Sequence, residues 1–268
     1  MQKKKKIIFI FLFAIFTILL IYLSIIVFKD IKNKLFSNIC NNSIFEFVEK
    51  NSKTIFSIDK IVYFSSANAN ISINGNSSFT VSNLYQYTDI AIFIDNHADG
   101  NFDSKNTLKE VTLSDINFSL KPNIGQPNLY FKSINDFATS NFDESNLISD
   151  TIKFETTSND EIDYSTKTLY NNCANPISLC YVNSNIKDNY TLLDNISNIA
   201  YNGSLLKNCN VTLNSVACKI SFLVTILNNL DEKYVCPITL NIPLSTENST
   251  LYDGNLTLKE ECSYNFIM

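Results

Sequence analysis

The chain has 268 residues, 21 lysines against 26 acidic residues, and a formal net charge of −5. Arginine is absent, which removes the bidentate clamp that commonly grips phosphates and carboxylates. Five glycines, one histidine and no tryptophan argue against phosphate-cradling loops and against sugar platforms built on indole rings.

Lys3 to Lys6 are followed by an apolar run at residues 7–28, in which Thr17, Tyr22 and Ser24 carry the only polar side-chain groups. A helix of that length reaches about 33 Å, enough for a hydrocarbon core of about 30 Å. A secretory signal has a shorter apolar region and a small-x-small cleavage site. Ile26-Val27-Phe28 offers no such site. The reading is an uncleaved transmembrane helix at 7–28 with a cytoplasmic tip at 1–6, since the four lysines before the span outnumber Lys29, Lys32 and Lys34 after it. The remainder is then extracytoplasmic. Its 17 lysines and 26 acidic residues sum to −9, which argues against nucleic acid as a partner. The expected partners are the bilayer, through 7–28, and a protein or wall polymer.

Beyond the span, Ile31, Leu35, Ile39, Ile44, Phe47 and Val48 recur at mainly three- and four-residue spacing, predicting a helical stalk over 29–55. Asn41-Asn42-Ser43 interrupts it, with Ser43 as a fresh cap. From residue 56 the pattern changes to short runs of Val, Ile, Thr, Phe and Tyr, punctuated by Asn, Asp, Gly and Ser. The fold class expected is mainly β, an antiparallel β-sandwich-like domain over 56–268, with two sandwiches as the alternative and a division near 135–163. Strands are expected at 60–65, 68–73, 79–84, 89–95, 108–113, 117–120, 128–133, 152–156, 177–182, 219–227, 234–244, 251–257 and 263–267. The clearest hairpin joins 220–227 to 234–244. Pro237 and Pro243 cannot donate to a ladder, so its second arm belongs at a sheet edge or carries a bulge.

Ten Asn-x-Ser/Thr sequons occur, but 38 asparagines and 48 serines and threonines would give about seven by chance. They read as composition. Of the seven cysteines all but Cys40 lie between residues 173 and 262. A non-cytoplasmic site permits disulfides, and adjacency in sequence favours Cys218–Cys236 and Cys173–Cys180; buried free thiols are the equal alternative. A zinc or metal-cluster site is not expected, because no Cys-x-x-Cys occurs and the one histidine, His97, is far from the cysteines in sequence.

One segment, 95–103, carries a ligand-like pattern. Asp95, Asp99 and Asp103, with Gly100 at the turn, resemble the front half of a calcium loop. His97 at the third position and Asn106 at the twelfth depart from it, and a plain turn explains the same residues. Calcium is therefore the one cofactor considered, and a bare turn is the default. His97 is also the only imidazole base, with no Gly-x-Ser-x-Gly elbow to accompany it.

The stretches Leu169-Tyr170-Asn171-Asn172-Cys173-Ala174-Asn175-Pro176-Ile177 and Tyr201-Asn202-Gly203-Ser204-Leu205-Leu206, running on to Cys218 and Tyr234-Val235-Cys236, resemble membrane-anchored proteins of AT-rich Gram-positive bacteria. The resemblance implies an envelope setting and transfers no activity and no site residues. The expected function is a non-enzymatic binding or structural module. The alternatives are an anchored hydrolase using Asp95, Asp99 and Asp103, and a pilin-like fibre subunit.

Overall fold

The structure is a computed structural model that describes residues 55–74, 78–98, 100–159, 161–192, 205–243 and 256–268. The expected span at 7–28, and the stalk at 29–55 apart from Ile55, lie outside the described residues. Among the described residues no helix is long and apolar enough to cross a membrane. Thr54–Met268 form one compact unit.

The strands are β1 (Ser57–Asn74), β2 (Ser78–Asp95), β3 (Leu108–Leu120), β4 (Gln126–Phe131), β5 (Ile152–Thr157), β6 (Thr168–Tyr170), β7 (Ile177–Lys187), β8 (Tyr190–Leu192), β9 (Cys218–Asn228), β10 (Lys233–Ile242) and β11 (Leu256–Asn265). The first sheet runs β11-β1-β2-β7-β4, with β8 added to β2; the second runs β10-β9-β3-β5-β6. Every pairing is antiparallel except β5 with β6. The domain is mainly β, as expected.

Alternation along the strands builds the core, because successive side chains point to opposite faces. Val224 and Ile226 of β9 and Ile238, Leu240 and Ile242 of β10 are buried, while the residues between them are not. They share one cluster with Ile61, Tyr63, Ile90, Ile92 and Leu179 of the first sheet. Phe131 meets Phe154, and Tyr181 meets Phe118, at ring separations of 6.0 and 6.5 Å, bringing residues of the two sheets together. As Pro237 requires, β10 is an edge strand.

Where two strands were expected on either side of a polar break, the chain makes one. The runs 60–65 and 68–73 are both β1, 79–84 and 89–95 are both β2, and 108–113 and 117–120 are both β3. Asn83 and Asp115, at φ 51° and 54°, lie where the register shifts at Asn68/Asn70 and Ser114/Asn117. Asn and Asp tolerate left-handed backbone, so these residues bend a continuing strand rather than end it. The short strands β6 and β8 and two one-turn helices, α1 (Leu205–Asn208) and α2 (Leu213–Val216), are structure that the pattern did not predict.

The long β1–β2 hairpin outruns the shared core. Its far part, with Phe79, Val81 and Leu84, joins Leu205 and Leu206 of α1 and Val216 of α2 in a second cluster. A third cluster, of Tyr87, Tyr130, Cys180 and Val182 with Phe64, Tyr85 and Phe142, forms on the first sheet apart from the main core. Phe142 reaches it from the segment between β4 and β5, which contains two 3-10 turns, Ile134–Asp136 and Glu144–Asn146.

All six described cysteines are free thiols, which corrects the disulfide expectation. In the β9–β10 ladder Cys236 faces Val224, whereas Cys218 faces Ile242. The two lie six rungs apart, roughly 20 Å at strand rise, where a bridge needs Cα atoms within about 7 Å. Cys173 packs on the main core and Cys180 in the third cluster, so they too are not partners.

Candidate functional site

The β1–β2 hairpin brings Ser57 opposite Asp95, at the end where β2 runs into its loop. Between Ile58 and Lys60 both ladders of β1 shift register, so Asp59 pairs with neither β2 nor β11. A bulge of this kind re-aims a side chain. The carboxylates of Asp59 and Asp95 and the His97 ring each offer a ligand atom, all within 4.8 Å of one another.

Hydrogen bonds order this cluster. The His97 backbone N–H donates to Asp95 Oδ1 at 2.9 Å, which holds His97 at φ 48° and leaves Asp95 Oδ2 at 3.6 Å from His97 Nδ1. His97 Nε2 lies 2.9 Å from Ser57 Oγ, and the Ser57 hydroxyl donates to Asp59 Oδ1 at 2.5 Å. With the Ser57 proton directed to Asp59, a neutral His97 ring donates through Nε2 and carries its lone pair on Nδ1. The side chains of His97 and Asp95 are 45% and 50% exposed, whereas Ser57 is 2% exposed.

Of the expected calcium ligands, Asp99 lies outside the described residues. Asp103 turns to its own loop: its Oδ1 accepts from the backbone N–H groups of Lys105 and Asn106, at 2.7 and 3.1 Å. Asn106 bonds back through Oδ1 to the Asp103 N–H and through its amide to the Asn101 carbonyl. Gly100 has φ 84°, a conformation that suits glycine.

A second charged cluster lies beneath the segment after β4. Lys132 Nζ donates to Asp89 Oδ1 at 2.8 Å, to Asp89 Oδ2 at 2.7 Å and to the Thr139 carbonyl at 2.7 Å. All three ammonium protons are thereby used. Asp89 Oδ2 also accepts from the Ala138 N–H at 2.8 Å. Both side chains are essentially inaccessible. Burial pushes the Asp89 carboxyl above its usual value, and Lys132 pulls the other way. The Cys180 thiol beside them is pushed well up by burial and by the Asp89 charge. Next to this pair an open groove of about 480 Å³ is lined by Phe64, Ser66, Asn68, Tyr87 and Ala138 to Ser140.

Sequence reasoning found Asp95 and His97 but missed Ser57 and Asp59. Ser57 is forty residues from His97, and only the pairing of β1 with β2 makes them neighbours. Asp89 and Lys132 were missed because a charge inside a strand reads as a solvent-facing position. No known protein family, curated protein or solved structure matches the chain.

Proposed function

We propose that the protein is a membrane-anchored cell-envelope module, a β-sandwich ectodomain that binds a protein or wall polymer and is held to the bilayer by residues 7–28. The observation that carries this reading is the 22-residue apolar run behind four lysines, ahead of a mainly β unit. Support for binding comes from the groove beside Tyr87, whose rings, hydroxyls and amide suit a polar chain with apolar faces. The test is labelling of intact cells with a membrane-impermeant amine reagent, followed by peptide mapping at Lys109, Lys153 and Lys259. The side chains of these lysines are 51%, 56% and 58% exposed, whereas four of the six described cysteines are buried. Modification in intact cells supports the extracytoplasmic placement; modification only after lysis removes it.

An anchored hydrolase is the second reading, favoured by the order Ser57–His97–Asp95, in which the two ring nitrogens face a hydroxyl and a carboxylate. It requires Ser57 to react with a fluorophosphonate. An unlabelled Ser57 in the folded chain rejects it.

A further inference from the structure

The cluster at the start of β1 has more donor capacity than its internal hydrogen bonds consume. Asp95 spends Oδ1 on the His97 N–H, and Asp59 spends Oδ1 on Ser57. Each keeps its second oxygen. His97 keeps Nδ1, because its other nitrogen is tied to Ser57. Among the described residues neither carboxylate is bonded to a lysine; the nearby Lys60 ammonium instead lies over the Phe93 ring, 3.8 Å from its centroid.

We infer that Asp59, Asp95 and His97 bind one divalent transition-metal ion, with zinc as its type. A four-coordinate zinc with bonds of about 2.0–2.1 Å places neighbouring ligand atoms roughly 3.3 Å apart. The 3.6 Å between His97 Nδ1 and Asp95 Oδ2 is close to that spacing, and Asp59 offers a carboxylate oxygen within 4.8 Å of a ligand atom on each of the other two. An imidazole with two carboxylates suits zinc, manganese or cobalt, whereas calcium takes six to eight oxygens. A metal-bound histidine characteristically donates its second N–H to a fixed acceptor, the role Ser57 fills here, with Asp59 fixing Ser57 in turn. This same hydrogen-bond direction counts against Ser57 as a nucleophile. The exposed side of the cluster leaves the remaining coordination position to water or to an incoming carboxylate.

His97 is the chain's one histidine, which makes the test specific. The full-length chain is purified in detergent with its affinity tag removed. It is then titrated with zinc chloride by calorimetry and with cobalt chloride by visible absorption. The expected result is one ion per chain, a cobalt band characteristic of nitrogen and oxygen ligands, and broadening or shift of the single imidazole proton signal. Asp59→Asn and His97→Ala should each weaken binding by about tenfold or more, and Ser57→Ala by about tenfold through loss of the ring's anchor. Asp103→Asn should leave it unchanged. The site is overturned if neither metal binds, or if wild type and H97A bind equally. Calcium binding lost in D103N but kept in H97A also overturns it, in favour of the loop ligands. Circular dichroism of each variant confirms that a lost signal is not a lost fold.

Discussion

Asp89 with Lys132, and Asp59 with Asp95 and His97, are two charged clusters on the same sheet, built on opposite terms. In the first, every ammonium proton has an acceptor and the carboxylate has a further backbone donor. Nothing is left over for a ligand, and the consequence is mechanical: the segment after β4 is tied down onto β2. In the second, ligand atoms remain unspent and open to solvent. Burial without spare capacity produces structure, and exposure with spare capacity leaves room for chemistry.

Breaking the buried pair should have the largest effect. Lys132→Met strands a carboxylate in the interior and should cost about 3–5 kcal/mol in urea unfolding. Adding Asp89→Leu to it should recover most of that loss, because two apolar groups replace two charges. The single variant should also be sensitive to pH in a set direction. Burial alone then raises the folded pKa of Asp89 above its unfolded value, so stability is retained at low pH and lost as pH rises through the folded value. K132M should therefore be less impaired near pH 4 than at pH 7. Equal losses at both would mean that water reaches the pair.

The buried thiols obey the same rule at the other end of the scale. Burial pushes Cys209 and Cys218 up to about 11 and Cys236 up to about 12. A folded pKa above the unfolded value, about 8.5–9, contributes stability below that value and loses it as pH rises through the folded one. Unfolding free energy should hold to about pH 9 and fall steeply from there to pH 12. Cys218→Val should flatten this limb by on the order of 2 kcal/mol. An unchanged limb would show that Cys218 titrates freely in the folded protein.

What the residues disclosed beforehand follows the same division. The β9–β10 hairpin was legible almost to the residue, because Ile220 to Leu227 and Tyr234 to Ile242 alternate without interruption. The β1–β2 hairpin was legible as strands but not in length, since Asn83 carries a turn residue's signature into a bulge. Of the exposed cluster, Asp95 and His97 were visible as a local motif, whereas Ser57 and Asp59 join it through ladder register alone. The buried pair gave no local signal. Whether a charge in a strand faces water is decided by what crosses over it, and here that is the segment holding Thr139 and Ala138.

The smallest effect sharpens the comparison most. In buffer stripped of divalent metal, His97→Ala and Asp59→Asn should each change unfolding free energy by no more than about 0.5 kcal/mol, as exposed side chains away from the core generally do. Added zinc should then raise the melting temperature of wild type clearly more than that of either variant, because an ion that binds only the folded state stabilises it by mass action in proportion to the logarithm of its affinity. If instead H97A alone costs as much as K132M without metal, the cluster is a second structural staple at the start of β1. The division between a spent and an unspent site would then fail.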